Sequence, residues 1–369
     1  MKKKSYDYDV IIVGAGPAGS TTARYIMQEN SDLRILLIDQ RKQVGVPIQC
    51  GEALSKISAW KKIMPANYPL EELFKIPNNA IANHIKHLEI FSPKLTKYTV
   101  DIDGMILYRD RFDQYLAKLA TGNGVELQLD TTVKGLKDSH ILLTSKGKIT
   151  GDIIVGADGP HSLIAKSVGL KTPNDIFRLC PSVMCIVKGD FHDDSSRMYY
   201  GKRFGEGFAW LFPKGDTANI GLGSEWKKHG KSLNSILDNL LKNLDIPENN
   251  VIYRGGGPIP MGGIIPKTVK DNILIVGDAA GMVFSSTGLG IGPAMLAGRE
   301  CGLSIKNYFE NGTSLNSYEQ RWRALLEKYF RNSLREKNMF KWLTRHDRVL
   351  ELLLRIIGKY SFKVGGTYP

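Results

Sequence analysis

The stretch Tyr8-Asp9-Val10-Ile11-Ile12-Val13-Gly14-Ala15-Gly16-Pro17-Ala18-Gly19 decides the fold. Val10 to Val13 is a β-branched run of the kind that forms a buried parallel strand, and the glycines follow it without a gap. Gly14 permits a tight turn, Gly16 lets backbone approach a pyrophosphate, and Gly19 lets the next helix pack closely on the strand. The helix start offers unpaired N–H groups and a positive dipole end to phosphates. A second apolar run, Arg34-Ile35-Leu36-Leu37-Ile38, ends at Asp39, 20 residues beyond Gly19. A carboxylate at that place accepts hydrogen bonds from the hydroxyls of an adenosine ribose and repels a 2′-phosphate. Strand, glycines, helix, second strand and acid fall in register, which predicts a dinucleotide-binding βαβ unit.

Working outward, two more apolar strands end in an acid. Asp152-Ile153-Ile154-Val155-Gly156-Ala157-Asp158-Gly159 leads into a helix expected from Pro160, and Asn272-Ile273-Leu274-Ile275-Val276-Gly277-Asp278 precedes Gly288-Leu289-Gly290-Ile291-Gly292-Pro293, which opens a helix expected to reach Tyr308. Acids above strand ends of a doubly wound sheet are where such folds contact ligands. Glycines at the second helix start would let N–H groups lie against a planar ring and stabilise negative charge there.

Between these segments the period changes. His84 to Phe91 and Thr96 to Asp101 alternate as antiparallel strands, and so do Val183–Val187, Arg197–Tyr200, Gly207–Phe212 and Thr217–Gly223. Phe208, Trp210 and Phe212 fall on one face and Pro213 closes the run, giving an aromatic wall that is either the sheet's own core or one side of an apolar pocket. Val44 to Glu52 is a glycine- and proline-bearing loop that sets Cys50 beside Glu52, and Arg109 stands just before a helix expected from Asp110 with Phe112, Leu116 and Leu119 on its apolar face. Ser232 to Leu244 reads as an amphipathic helix, and Gly255 to Gly263 as a sharp turn back to the first domain.

Composition narrows the class. The 369 residues carry 42% hydrophobic and 24% charged residues, ordinary for a globular protein of two joined domains. The four cysteines lack the spacing of a zinc site and the density of a disulfide scaffold, so they read as thiols and no metal is expected. Neither a cleaved leader nor a membrane span is expected, which makes the cytoplasm the default compartment. The net charge of +13 is concentrated late: 321–363 holds twelve Lys or Arg against four Asp or Glu. Aromatic residues interleave with those charges, so the segment is either a set of packed helices with basic solvent faces or a surface for an anionic membrane. No nucleic-acid module accompanies the charge, and nucleic acid is not an expected partner.

The glycines with Asp39, the Asp158-Gly159 turn and Gly277-Asp278 resemble the three fingerprints of flavoproteins with the p-hydroxybenzoate hydroxylase type of FAD fold. Within that group Pro47-Ile48-Gln49-Cys50-Gly51-Glu52, Arg109 to Asp113, Phe208 to Pro213 and Thr287 to Ile291 resemble the geranylgeranyl reductase family over roughly residues 6–300. The resemblance implies an α/β (α+β overall) fold: a Rossmann-like FAD-binding domain from 1–80, 102–175 and 265–310, an antiparallel-sheet substrate domain from 81–101 and 176–264, and a basic helical region from 311–369. It implies FAD as cofactor and saturation of polyprenyl double bonds in a lipid or related isoprenoid.

Expected FAD contacts are Gly14, Gly16 and Gly19 to the pyrophosphate, Asp39 to the ribose, Arg109 as a clamp, Asp278 to the ribityl region, and Gly290 with Gly292 to the isoalloxazine edge. The set also takes in Ala18, Gln40, Cys50, Gly51 and Val133, then Ala157, Asp158, Gly159, Gly277, Gly288 and Ile291. Cys50 and Glu52 are the catalytic candidates. One GxGxxG occurs, so reducing equivalents are expected from an external donor such as NAD(P)H or ferredoxin. The chain departs from the family's usual Pro-x-x-Tyr-x-Trp-x-Phe-Pro, having Gly205 and Phe208 where proline and tyrosine stand. Two other classes stay open: a hydroxylase of an aromatic or quinone substrate, and a flavin-bearing electron-transfer protein at the inner face of the cell membrane.

Overall fold

The computed structural model describes residues 6–28, 32–173, 179–224 and 232–360, with side chains to 356. The end of the basic segment, 361–369, lies outside the described residues, as do 176–178 and 225–231 of the expected substrate domain.

In chain order, β1 (Tyr8–Val13), α1 (Pro17–Ile26) and β2 (Ile35–Ile38) form the predicted unit. Next come β3 (Ala53–Ser55), α2 (Ile57–Trp60), α3 (Leu70–Leu73) and the hairpin β4 (Ile81–Phe91) with β5 (Lys97–Leu107). Helix α4 (Arg109–Thr121) leads to β6 (Glu126–Gln128), the ladder β7 (Val133–Lys137), β8 (Ile141–Thr144) and β9 (Gly147–Gly156), and α5 (Leu163–Ser167). Then follow β10 (Cys180–Phe191), β11 (Ser195–Tyr199), β12 (Gly207–Pro213), β13 (Gly215–Ser224), α6 (Leu233–Asn243) and β14 (Val251–Ile259). The chain continues through β15 (Val269–Lys270), β16 (Ile273–Ile275), α7 (Ile291–Asn311), α8 (Ser317–Trp322), α9 (Lys328–Leu343) and α10 (Asp347–Tyr360).

The first unit comprises 1–46, 110–179 and 260–334. Its sheet runs β15-β16-β9-β1-β2-β6, and every pair from β16 to β6 is parallel. Val10, Ile11 and Ile12 of the central strand have no exposed surface, which is why β-branched residues occupy both of its faces. A Cβ on Gly19 would stand 1.9 Å from the Gly14 carbonyl oxygen, and one on Gly14 would stand 2.2 Å from that of Ala157. Both glycines are therefore spent on bringing strand, turn and helix together. Helix α8 is tied to this unit: the Tyr318 hydroxyl donates to the Ile275 carbonyl at 3.0 Å and the Trp322 indole N–H to Thr268 Oγ1 at 2.9 Å.

The second unit comprises 47–109, 180–259 and 335–369. Its sheet runs β14-β10-β13-β12-β11-β4-β5-β3. All neighbours are antiparallel except β11 and β4, a parallel pair in a sheet expected to be wholly antiparallel. On one face Ala209, Leu211, Ile220 and Leu222 pack against Leu237, Leu240 and Leu241 of α6. That face is the core of the unit. The alternation of strand side chains sends Trp210 and Phe208 to the opposite face.

Several boundaries differ from the sequence reading. Residues 47–80 and 102–109 lie in the second unit, because β3 pairs with β5 and β5 continues to Leu107. Of the helical region expected from 311, the part to Leu334 belongs to the first unit and the remainder to the second. Gly255 to Gly257 form no turn: they lie in β14, paired with β10, where a Cβ on Gly256 would stand 2.4 Å from the Ser182 carbonyl oxygen. Close strand approach, not chain reversal, explains those glycines. Among the described residues no helix is long and apolar enough to cross a membrane.

Gly19→Ala is expected to destabilise the protein by about 3 kcal/mol, since the new methyl meets backbone that cannot yield. Gly16→Ala, at an extended φ of −74°, is expected to stay within about 0.5 kcal/mol of the parent. Urea denaturation of the two variants and the parent, all stripped of bound ligand, checks the contrast.

Candidate active site

In the first unit the acid of β2 sits where the motif requires it. Asp39 is buried, and its carboxylate accepts from the Ala15 N–H at 2.9 Å and from the Arg41 N–H at 2.8 Å. The glycine turn and the acid are thereby fixed to one another, while Gln40 beside them is exposed. Helix α1 starts at Gly16 with no side-chain cap and no acid in its first turn. Helix α7 starts the same way at Gly290, with Ile291 and Gly292 buried in its first turn. Such helix starts leave N–H groups and positive dipole for an anion.

The glycines divide into two kinds. Gly14 and Gly19 are crowded by the chain's own backbone, whereas a Cβ on Gly16, Gly159 or Gly288 would meet nothing within 4 Å. Gly159 and Gly288 need glycine for their positive φ, +81° and +75°, but at Gly16, φ −74°, neither crowding nor backbone conformation requires it. A group lying against the backbone there would, as the pyrophosphate of a dinucleotide does. Gly277, at φ +69°, has Ala18 against it, and Asp278 follows in the turn beyond β16, its Oδ1 3.4 Å from where a Gly290 Cβ would lie. Val133 opens β7, and Ala157 crosses directly behind Gly14. The residues present fit the expected cofactor.

Asp158 is placed differently from the expectation of a ligand contact. Its carboxylate accepts from Ser162 Oγ at 2.6 Å and from the N–H groups of Leu163 and Ile164 at 2.7 and 3.1 Å. It thereby binds the first N–H groups of α5, whose N-cap is Ser162, and the helix starts at Leu163 instead of Pro160. Burial pushes this carboxyl above its ordinary range, and the hydrogen bonds from Ser162 and the helix start act in the other direction.

The second unit holds a buried polar cluster. Glu52 has no exposed surface and takes φ +70°, a left-handed conformation costly for a residue with a Cβ. Its Oε2 accepts from Lys214 Nζ at 2.6 Å and from Asn219 Nδ2 at 3.0 Å, and its Oε1 from the Arg109 N–H at 3.2 Å. Lys214 is itself only 4% exposed in its side chain and lies over the Tyr108 ring. Asn219 reaches both ways: Nδ2 also donates to the Cys50 carbonyl at 2.8 Å, and Oδ1 accepts from the Trp210 indole at 2.9 Å. The Glu52 N–H points at Cys50 Sγ, 3.2 Å away. One network thus fixes the Cys50-Gly51-Glu52 loop, the start of α4 and the aromatic wall.

That wall is a continuous surface. Trp210 stacks on Phe212 at 6.1 Å between centroids and meets Phe208 edge-on at 6.3 Å. Met184, Ile186, Ile48 and Tyr253 complete the cluster. A Cβ on Gly51 would stand 3.0 Å from the Phe212 ring, so the loop lies directly on the wall. Phe208 and Phe212 keep part of their surface and Cys50 is half-buried, which leaves a thiol and two rings on the face away from the core. Gly205 adopts φ +71°, which a proline cannot, so the departure from the family's motif changes backbone as well as side chain.

Glu52, a catalytic candidate by sequence, has no exposed surface, and both its carboxylate oxygens are engaged within the protein. Arg109 is the first residue of α4, and its backbone N–H serves the Glu52 carboxylate. Lys214 and Asn219 were missed. The available signal was a lone amide in the apolar alternation Ala218-Asn219-Ile220, opposite Phe212 in the register. Among the described residues no group of His, Cys, Asp or Glu is arranged to hold a metal.

Comparisons with known proteins identify the family. Residues 179–258 match the family model described as the geranylgeranyl reductase catalytic domain, and 2–109 match that of the Thi4 family. The chain is 33% identical to a digeranylgeranylglycerophospholipid reductase of Methanococcus vannielii, covering 100% of this chain and 97% of the relative. It is 31% identical to the enzyme of the same name from Methanocaldococcus jannaschii, covering 97% and 93%. A geranylgeranyl bacteriochlorophyll reductase-like protein from Thermoplasma acidophilum superposes with a TM-score of 0.84 at 25% identity, covering 97% of this chain and 93% of that one. A halogenase in complex with FAD shares the fold at a TM-score of 0.67 and 14% identity, over 96% and 83%.

Lys214→Met is expected to destabilise by about 3–5 kcal/mol, since it strands a buried carboxylate. Adding Glu52→Gln should recover part of that loss. Urea melts of the single and double variants give the coupling, and independent effects at the two positions would contradict the pairing.

Proposed function

The chain belongs to the geranylgeranyl reductase family that includes the archaeal digeranylgeranylglycerophospholipid reductases, and on that premise we propose that it is an FAD-dependent reductase saturating carbon–carbon double bonds of polyprenyl lipid chains. The observation that supports this most is the second unit's apolar aromatic face with a single thiol fixed upon it by a buried ion pair. It suits a substrate without polar handles that needs a proton placed at one carbon.

Gly14, Gly16 and Gly19 would hold the pyrophosphate of FAD, Asp39 the adenosine ribose, Asp278 the ribityl region, and the start of α7 at Gly290 and Gly292 the isoalloxazine edge. Bound and reduced, FAD supplies a hydride. The protein's own residues must do the rest. An isolated alkene accepts hydride poorly, so a proton has to reach the other carbon in the same step or before it. Cys50 is the group placed to hold that proton, at Sγ, with the Glu52 N–H directed at the sulfur to stabilise the thiolate left behind. Glu52, Lys214 and Asn219 hold the loop that carries Cys50, and Phe208, Trp210 and Phe212 offer the apolar surface and exclude water.

The electron donor is external, NAD(P)H or a redox protein, since the chain has one dinucleotide fingerprint. The substrate is a lipid, so the working place is the cytoplasmic side of an anionic membrane surface. The hydroxylase alternative draws on fold likeness to monooxygenases at 14–15% identity and is not favoured.

Purified protein should be yellow, and Gly16→Ala should bind FAD at least about tenfold more weakly because the methyl enters space the pyrophosphate takes. Cys50→Ala should stay yellow yet lose saturation of a prenyl lipid after dithionite reduction, read as the missing mass of H2 per bond. Unchanged turnover would remove Cys50 from the reaction.

A further inference from the structure

Apolar side chains on the outside of this protein are unevenly distributed. Of the nine large hydrophobic residues exposed among the described residues, five lie between Met339 and Ile356: Met339 (58%), Trp342 (55%), Val349 (39%), Leu352 (58%) and Ile356 (51%). They are on the end of α9 and on α10. An exposed apolar row on one short stretch marks a surface that meets something other than water.

Helix α10 is apolar on two sides. Leu350 and Leu354 are buried against Ile90, Tyr98 and Tyr200, which seats the helix on the second unit. Val349, Leu352 and Ile356 recur at i, i+3 and i+7 and so form a second stripe, on the outer side. Charge is sorted the same way. The helix has two acids, and both are engaged by the protein's own groups: the exposed Asp347 accepts from the Lys202 N–H at 2.7 Å, and the buried Glu351 from the Lys94 N–H and Thr96 Oγ1, each at 3.2 Å. Arg348 and Arg355 are exposed and, at i and i+7, form a basic edge along the apolar stripe. In the preceding turn Arg345 and Lys341 share Glu206, leaving a net positive end beside the exposed Trp342.

We propose that this outer face of α10, with Met339 and Trp342 of α9, is a docking surface for the headgroup layer of an anionic lipid bilayer. Apolar stripe, flanking arginines, acids engaged by the protein's own groups and an exposed tryptophan are together what a helix lying in that layer needs. The face rests on the reductase reading only in the choice of a lipid over another apolar partner, and vesicle binding can be measured without turnover.

The test is sedimentation of the flavin-loaded full chain with vesicles of phosphatidylcholine alone or mixed equally with phosphatidylglycerol. The wild type is expected to sediment with the mixed vesicles and far less with the neutral ones, with binding lost on raising salt. Arg348→Gln with Arg355→Gln should weaken binding about 30-fold. Leu352→Glu with Ile356→Glu should weaken it at least about tenfold, with melting temperature unchanged because both side chains are exposed. Equal binding by the Leu352/Ile356 variant and the wild type overturns the proposal. A lipid-free dimer, seen by analytical ultracentrifugation and broken by that variant, also overturns it by making the face a contact between copies. Reduction of a detergent-dispersed prenyl alcohol by wild type and variant alike keeps the two readings apart: its failure in both counts against the reductase and leaves the vesicle result standing.

Discussion

A carboxylate shut away from water stays ionised only when a cation and donors close around it, and the second unit is arranged to do this for Glu52. Its partners lie far from it in the chain, Lys214 in the turn between β12 and β13 and Asn219 in β13, with the α4 start contributing a backbone N–H. Losing one partner leaves an uncompensated buried charge, so the loop before β3 and the β12–β13 edge are held together more rigidly than their apolar contacts require. The left-handed backbone of Glu52 is strain kept by this closure. The Cys50 thiol two residues away inherits a fixed position.

The sheet of this unit puts its two faces to different uses. One packs on α6 with aliphatic residues, as any core does. The other bears stacked aromatic rings whose indole is tied to an amide, which orients the wall; on the proposed function its half-buried rings would meet the hydrocarbon. Apolar recognition of this kind selects by shape and length, since no polar group of a prenyl chain can be read. The first unit works by the opposite principle, with backbone N–H groups and a fixed carboxylate addressed to a highly polar ligand.

Local information was legible in the sequence and long-range information was not. The β1-turn-α1-β2 unit, its glycines and Asp39 are set by contacts within about forty residues, and the reading of them agrees with the structure. The alternation that marked β10 to β13 and the amphipathic α6 was equally direct. Lys214 and Asn219 were invisible because their meaning lies in a partner over 160 residues earlier. Gly255 to Gly257 misled because glycine serves both reversal and close approach, and only the neighbouring strand decides between them. Asp158 carries a related ambiguity: an acid at a strand end can face a ligand or bind the start of the next helix, and its carboxylate here accepts from Ser162 and from the first N–H groups of α5.

Each unit is stitched from three separated lengths of chain, interleaved with those of the other. Strand β1 is made early, yet its central neighbour β9 follows well over a hundred residues later and β16 later still. Strand β4 likewise waits for β11, with Glu89 and Arg197 separated by 108 positions. During synthesis the apolar edge of each half-built sheet therefore stays open until the ribosome has delivered most of the polypeptide. No contiguous fragment corresponds to either unit, so the two mature together, and the nascent chain has reason to be sheltered by a chaperone until β16 docks.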